Sequence, residues 1–159
     1  MKTSRMENRK APKLTQFPII GNIIESSSKD PLVVINSPKS PIAESFRSVR
    51  TNVEYITQGK QKSVILVTGD SQNIGKTFNS INIASIYALY GKKTVLLGFD
   101  LRKPKLFQEF GLNNNIGLST YLSNKDELED IVQTSDRISN LDIITSGPIP
   151  PNPILFIAE

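Results

Sequence analysis

The sequence predicts an α/β fold in which helices flank a parallel β-sheet. Three apolar runs rich in β-branched residues are typical of buried strands, and they cover residues 63–69, 93–99 and 141–146. Helical patterns separate these runs, and strands that alternate with helices along a chain usually pair in parallel. The chain has 159 residues, which is enough for one domain with a hydrophobic core.

Before the first of these strands, the pattern predicts a short strand at residues 32–35 and a helix that follows it. Ser40 suits the N-cap of this helix and Pro41 its first position. An apolar stripe at spacings of three and four continues to a stop near residue 59, and its members are Ile42, Phe46, Val49, Val53 and Ile56. The octet FPIIGNII at 17–24 is either a short strand or a docking segment.

Further helices are expected between and after the later strands. A long one covers residues 76–90 and ends at Gly91, because glycine is common just past a helix end. Shorter helices are predicted at 104–110, 117–122 and 126–134. Residues 147–153 predict an extended loop, and residues 154–159 the start of another helix.

The composition excludes several kinds of chemistry. The chain contains neither cysteine nor histidine. A disulfide framework, a thiolate nucleophile and an imidazole base are therefore absent, and a structural zinc site is not expected. Catalysis would have to use Asp, Glu, Lys, Arg or a bound metal.

Residues 69–78, GDSQNIGKTF, join the first predicted strand to the long helix. The phosphate-loop pattern G-x-x-x-x-G-K-[ST] has its first glycine at 70, where this chain has Asp70, and Gly69 stands one position early. Such a loop curls backbone N–H groups around phosphate oxygens at a helix N-terminus. The alternative is a tight turn with an incidental Gly-Lys-Thr.

The strand and helix around this segment favour the phosphate loop, and with it the fold of a P-loop NTPase. Lys76 would reach the β- and γ-phosphates of ATP, and the Thr77 hydroxyl would ligate Mg²⁺. The predicted ATP-binding residues are Ser71, Gln72, Asn73, Ile74, Gly75, Lys76, Thr77 and Phe78.

Asp100 follows the strand predicted at 93–99. Ligands of parallel sheets bind beyond the carboxyl ends of the strands, so Asp100 is expected at the same edge as the phosphate loop. There it could hold Mg²⁺ or its waters. The alternative is a carboxylate that caps a turn or a helix.

Glu44, Arg47 and Arg50 recur at a spacing of three on the helix after Pro41. They are expected on its exposed side, away from the apolar stripe. One interpretation is a salt-bridged solvent face, and the other is a subunit interface in which arginine forks meet carboxylates of a neighbouring subunit.

The charge distribution bears on partners and location. The net charge is +4, and a basic cluster lies near the N-terminus, consisting of Lys2, Arg5, Arg9, Lys10 and Lys13. A solvated tail and contact with an anionic membrane surface are both compatible with it. Nucleic acid binding is not expected, because no aromatic residues are interleaved. With no apolar run long enough to span a membrane and no signal peptide, the chain is expected to be cytoplasmic.

Taken together, these segments resemble the bacterial tyrosine kinases of capsule and exopolysaccharide export, which are P-loop proteins. The resemblance covers about residues 17–153, in the order FPIIGNI, SPKSPIAESFRSVRTNVEY, VTGDSQNIGKTF, GKKTVLLGFDLRKPKLFQEFG, GLSTYLS and LDIITSGPIPPNP. It implies transfer of the γ-phosphoryl group of ATP to tyrosine, including autophosphorylation, with ATP and Mg²⁺ as cofactors.

The resemblance also assigns roles to individual residues. Lys76 and Asp100 take catalytic roles, Thr77 and Asp100 bind the metal, and Arg102 matches the arginine of the family's D-x-D-x-R motif. The motif formed by Glu44, Arg47 and Arg50 would link subunits into a homo-oligomeric ring. Other implied partners are a membrane adaptor region or polysaccharide co-polymerase and protein tyrosine substrates, at the inner face of the plasma membrane.

The chain departs from the family at three points. The first Asp of D-x-D is Gly98, and neither the downstream Walker B strand nor a C-terminal tyrosine cluster is found. Residues 1–30, which are mostly polar and contain the basic cluster, are predicted to be a basic tail and linker. Residues 31–159 are predicted to be a P-loop kinase domain, truncated before Walker B and with an incomplete sheet.

Two alternatives remain open. The chain could be a non-catalytic nucleotide-binding or oligomerisation fragment of such a kinase, which Gly98 and the missing strand favour. It could also be a partition-type P-loop ATPase. The signature lysine of that class would fall at position 71, where this chain has Ser71, so the sequence disfavours it.

Overall fold

The structure, a computed structural model, describes residues 18–25, 30–58, 60 and 62–153. Within these residues there are six helices and three strands. The helices are α1 Val33–Asn36, α2 Pro41–Ile56, α3 Lys76–Leu89, α4 Leu106–Phe110, α5 Leu118–Leu122 and α6 Leu128–Ile131. The strands are β1 Thr94–Leu97, β2 Val132–Thr134 and β3 Leu141–Ile144.

The three strands form one sheet in the order β1-β3-β2. β1 and β3 pair in parallel, with Thr94 opposite Leu141, as the sequence predicts. β2 pairs antiparallel with β3, so the prediction of a purely parallel sheet is wrong at this edge. The predicted helix at 126–134 ends early because the backbone becomes extended at Val132 and returns directly to β3. The α/β class is confirmed.

The prediction of a buried strand at 63–69 is wrong for this structure. Among the described residues no strand pairs with this segment, and Val64 is 99% exposed and Leu66 83% exposed. A strand is stable only when its backbone groups are hydrogen-bonded and at least one of its faces is covered. β1 differs from this segment because one of its faces is covered. Leu96 faces the core, while Val95 and Leu97 on the other face are about half exposed.

The predicted strand at 32–35 is wrong as well, because this segment forms α1. The N–H groups of Ile35 and Asn36 both donate to the Leu32 carbonyl at 2.9 Å, and the Asp30 carboxylate accepts from the Leu32 N–H at 2.9 Å. A four-residue apolar run fits a buried helical turn as well as a buried strand, so periodicity alone does not separate them.

α2 begins as predicted. The Ser40 hydroxyl oxygen accepts a hydrogen bond from the Ala43 N–H at 3.3 Å, and Pro41 is the first helical residue. The stripe is buried at Ile42, Phe46 and Val49, whereas Ile56 is exposed because the last turn runs beyond the core.

We expect Ser40→Ala to destabilise the fold by about 1 kcal/mol, because an N-cap hydroxyl satisfies an otherwise free helical N–H. For a chain of this size the melting temperature should fall by about 3 °C. Circular dichroism melts would measure it, with Ser48→Ala on the exposed side of α2 as the matched control. Equal melting temperatures for the two variants would contradict the capping role.

The hydrophobic core of the described residues has two clusters on either side of α3 and a smaller third one formed by Leu118, Ile131 and Ile144. One cluster joins α3 to the sheet and α4, through Ile81, Ala84, Ala88, Leu96, Leu106, Phe110, Leu141 and Ile143. The other joins α3 to α1 and α2, through Val33, Val34, Ile42, Phe46 and Ile86. Because α3 packs on both sides, its apolar residues are spread around the helix and are not confined to one face.

Two polar side chains are fully buried on α3, and they differ in their partners. The Asn82 amide oxygen accepts from the Val34 N–H at 3.0 Å, and its nitrogen donates to the carbonyls of Pro31 at 2.9 Å and Phe78 at 2.8 Å. The Ser85 hydroxyl has no hydrogen-bond partner within the described part of the chain. Asn82 therefore ties α3 to the segment that enters α1.

Residues 18–25 form no strand and lie against α2. The Asn52 side chain donates to the Ile20 carbonyl at 2.7 Å, and Ile23 packs against the second core cluster. These contacts favour a docking segment over a strand. Residues 1–17, with the predicted basic tail, and residues 26–29 and 154–159 lie outside the described residues.

Candidate phosphate-binding site

The loop before α3 turns tightly into the helix. Asn73 has a φ of 60° and Gly75 a φ of 87°, both in the left-handed region. Gly75 is the N-cap of α3, and a Cβ placed there would lie 3.3 Å from the Asn79 side-chain nitrogen. Glycine adopts this conformation without strain, which accounts for the glycine before Lys76.

The N-terminus of α3 presents free donors at this turn. The first helical bond runs from the Asn79 N–H to the Gly75 carbonyl at 2.8 Å. The N–H groups of Lys76, Thr77 and Phe78 therefore have no acceptor within the helix, and they lie at the positive end of its dipole. An anion with several oxygens fits this arrangement.

Lys76 lies across the same loop. Its ammonium group donates a hydrogen bond to the Ser71 carbonyl at 2.6 Å. Residues 71–74 are exposed, so the loop and the ammonium are open to a ligand. Phe78, in the first turn of α3, packs against α2, and its ring centroid lies 5.8 Å from that of Phe46.

The early glycine has a local explanation. A Cβ at Gly69 would lie 1.9 Å from the Cδ1 of Ile74, so the Ile74 side chain folds back over the space that glycine leaves. Asp70 occupies the position expected for glycine and is exposed. The contact between Gly69 and Ile74 could not be read from the motif.

Asp100 lies three residues beyond β1 and is exposed. One of its carboxylate oxygens accepts from the N–H groups of Arg102 at 3.2 Å and Lys103 at 2.9 Å. The carboxylate therefore caps a turn, as in the second interpretation of the sequence, and this turn fixes its position at the end of β1.

The phosphate loop and Asp100 are found at the same end of the sheet. Asn140, just before β3, donates its side-chain N–H to the Ala88 carbonyl at 3.4 Å. This bond puts the C-terminus of α3 beside the amino ends of the parallel strands, so its N-terminus points toward their carboxyl ends. Within the described residues, however, no hydrogen bond or ion pair joins Asp100 to Lys76 or Thr77.

The side-chain oxygens near this loop are too few to bind a magnesium ion by themselves. They suit an ion whose other ligands are waters and phosphate oxygens. No group of three or more Asp, Glu, His or Cys side chains is clustered in the part of the chain that the structure describes. Magnesium is usually bound through one or two protein oxygens, with waters and phosphates completing the octahedron. The exposed Thr77 hydroxyl and the Asp100 carboxylate have the right chemistry for that limited role.

Gly98 is packed closely between neighbouring elements. A Cβ there would lie 3.2 Å from the Leu106 side chain and 3.2 Å from the Ser146 hydroxyl, which donates to the Gly98 carbonyl at 2.7 Å. A carboxylate at this position would require Ser146 or Leu106 to move. Ser146 is a neighbour that sequence reasoning missed, and no pattern in the chain indicates it.

The residues of the predicted interface motif are held by contacts within the chain. Glu44 accepts from Arg47 at 2.7 Å, and Glu54 accepts from Arg50 at 2.7 Å. The Glu44 side chain is 68% exposed, but that of Arg50 is only 12% exposed, so its predicted place on the exposed side is wrong. The reason is Tyr90, whose ring centroid lies 3.6 Å from the guanidinium carbon of Arg50.

Sequence reasoning missed both residues that hold Arg50. The spacing of four between Arg50 and Glu54 is a signal for the ion pair. Tyr90 lies at the end of α3, and no local pattern points to it. In the same region, burial and then the Glu54 carboxylate raise the pKa of Tyr87, while Arg50 acts in the opposite direction.

No protein-family model matches the chain. Curated relatives nevertheless match most of it. Tyrosine-protein kinase YwqD of Bacillus subtilis is 38% identical over 128 residues, which are 80% of this chain and 54% of that protein. Putative tyrosine-protein kinase CapB of Staphylococcus aureus is 39% identical over 135 residues, 85% of this chain and 59% of that protein. The chain thus spans little more than half the length of these relatives.

Solved structures agree with these matches. The chimerical protein CapA2B2 has a TM-score of 0.76 at 39% identity, covering 89% of this chain and 61% of that one. The kinase domain of the Escherichia coli tyrosine kinase ETK has a TM-score of 0.75 at 30% identity, covering 84% of this chain and 52% of that one. By sequence and by fold, this chain is a homologue of the bacterial tyrosine kinases over the part of the kinase domain that it spans.

Proposed function

We propose that this chain is the catalytic, nucleotide-binding part of an ATP-dependent, autophosphorylating protein-tyrosine kinase that regulates capsule or exopolysaccharide polymerisation and export. Residues 31–159 would form the P-loop portion. The observation that carries the proposal is the left-handed turn at Gly75, which opens into α3 with Lys76 and three free N–H groups at its start. The names of the relatives supply the reaction class.

In this proposal the residues act by positioning and charge. Residues 71–78 bind the phosphates of ATP, with the N–H groups at the start of α3 oriented toward their oxygens. Lys76 leaves the Ser71 carbonyl and neutralises charge on the β- and γ-phosphates. The Thr77 hydroxyl and the Asp100 carboxylate would hold magnesium, which would supply further charge neutralisation. Asp100 orients the acceptor tyrosine hydroxyl and accepts its proton.

The assembly and location of the protein belong to the same proposal. Glu44, Arg47 and Arg50 would join copies of the chain into a ring, and a membrane adaptor region or polysaccharide co-polymerase would hold it at the inner face of the plasma membrane. None of the described helices is both long and apolar enough to cross a bilayer.

A second candidate is a non-catalytic nucleotide-binding or oligomerisation fragment of such a kinase. The packing of Gly98 against Ser146 and Leu106 favours it, because the carboxylate that the family resemblance would place there is absent and would require one of these neighbours to move. The unpaired segment at 63–69 favours it too, since the phosphate loop follows directly from this segment.

Two measurements would distinguish the kinase proposal from the non-catalytic fragment. The first is titration calorimetry with MgATP. The second is detection of phosphotyrosine after incubation with MgATP and a tyrosine-containing copolymer. The kinase proposal predicts saturable binding, and phosphotyrosine that Asp100→Asn reduces by about 100-fold, within the range for removal of a general base. Binding without phosphotyrosine would contradict the kinase proposal and support the second candidate. No binding would contradict both nucleotide-binding proposals.

A further inference from the structure

Tyr90 lies at the C-cap of α3, where that helix meets α2. Its ring faces the guanidinium group of Arg50, with the central carbon 3.6 Å from the ring centroid. This distance is that of a cation stacked on an aromatic face, an attraction that strengthens as water is excluded. The contact joins the C-cap residue of α3 to Arg50, the last arginine of the predicted interface motif on α2.

The surroundings of Arg50 show why it needs such a contact. Its side chain is 12% exposed, and its strong polar contact is the ion pair with Glu54 at 2.7 Å, beside a long contact to the Thr51 hydroxyl at 3.5 Å. Its Nε is buried and has no partner among the described residues. A cation withdrawn from water is unfavourable unless its neighbours compensate it, and one carboxylate covers only part of the group.

Arg47 offers a comparison on the same helix. It is paired with Glu44 and also donates to the Pro38 carbonyl, and its side chain is 27% exposed. No aromatic ring covers it in the described part of the chain. The two arginines are therefore held by different means, and the ring of Tyr90 is particular to Arg50.

We propose that Tyr90 is a positioning residue for assembly, because its ring holds the Arg50 guanidinium in the orientation that the interface on α2 requires. This inference rests on the proposed assembly through Glu44, Arg47 and Arg50. The Arg50 guanidinium is held by the face of the Tyr90 ring and not by its hydroxyl. Since α3 carries Lys76 at its start and Tyr90 at its end, the same helix fixes the interface arginine relative to the phosphate loop.

The test compares Tyr90→Phe, which keeps the ring, with Tyr90→Leu, which removes it. Tyr55→Leu is the matched control, because Tyr55 is 85% exposed on α2. The first readout is the Arg50 Nε–H resonance, which a ring above the guanidinium shifts. We expect the shift to persist in Tyr90→Phe and Tyr55→Leu and to disappear in Tyr90→Leu.

The second readout is self-association measured by sedimentation velocity. We expect Tyr90→Leu to weaken self-association by roughly tenfold, which is within the range for loss of a partly desolvated cation–ring contact. We expect Tyr90→Phe and Tyr55→Leu to leave self-association unchanged. An Arg50 resonance and self-association that both survive in Tyr90→Leu would overturn the inference. So would a Tyr90→Phe variant that behaves like Tyr90→Leu.

The two readouts also distinguish this inference from the proposed function. A wild-type chain that remains monomeric at every concentration would contradict the proposed assembly. The Arg50 resonance would then still decide whether Tyr90 holds the guanidinium.

Discussion

Lys76→Met is expected to weaken MgATP binding by about 100-fold, a loss of ~2.7 kcal/mol. The ammonium lies across the loop on the Ser71 carbonyl, where it can exchange that neutral acceptor for phosphate oxygens. Hydrogen bonds to ionised groups are about twice as strong as neutral ones, and methionine retains the length of the side chain without the charge. Titration calorimetry would measure the change.

Lys92→Met is the matched control, because Lys92 is exposed just beyond the other end of α3. It removes the same charge from the chain, so it reports any general effect of net charge on nucleotide affinity. We expect the control to bind MgATP as the wild type does, and both variants to melt within about 2 °C of it, since exposed substitutions usually change stability little. Equal affinities for the two variants would show that Lys76 does not contact the phosphates.

Asn82→Ala is expected to destabilise the fold by about 3 kcal/mol, the largest stability effect that we predict. The Asn82 side chain satisfies the Val34 N–H and the carbonyls of Pro31 and Phe78. A buried group that loses its partner costs about 1–3 kcal/mol, and the removed side chain leaves a cavity as well. Urea unfolding followed by circular dichroism would give the difference in free energy.

Ser85→Ala provides a control on the same helix. Both side chains are fully buried, but the Ser85 hydroxyl has no hydrogen-bond partner in the described residues. Removing an unsatisfied hydroxyl and introducing the best helix former should leave stability unchanged or raise it by up to about 1 kcal/mol. A Ser85→Ala loss as large as that of Asn82→Ala would indicate cavity formation as the cause and contradict the hydrogen-bonding role.

The sequence predicts well those elements whose signals are local. α2 begins at Ser40 and Pro41 because a cap and a proline specify it, and α3 ends before Gly91 for a similar reason. β1 and β3 are found where the longer apolar runs predict them. The run at 32–35 and the end of the helix predicted at 126–134 are misassigned, because tertiary contacts to Asn82 and β3 decide their conformation. The longer run at 63–69 is misassigned too, because among the described residues no strand pairs with it.

In the candidate site too, features with a local sequence signal could be predicted and features that depend on tertiary contacts could not. Lys76, Thr77 and Asp100 could be proposed from a motif and from the position of a strand end, and their roles stay predictions. Contacts across the fold could not, because they depend on which distant side chains meet. Ile74 over Gly69, Ser146 against Gly98 and Tyr90 on Arg50 are contacts of this kind. They explain the early glycine, the glycine at 98 and the burial of Arg50.

The exposed apolar segment at 63–69 also affects how the protein behaves at high concentration. Val64 and Leu66 lie in a seven-residue stretch without charge or proline, a composition that readily forms intermolecular β-structure. Colloidal stability is thus separate from thermal stability: a better-capped α2 raises the melting temperature but leaves this stretch uncovered. Charge introduced at Val64 or Leu66, or a binding partner that covers them, would extend the shelf life of concentrated samples.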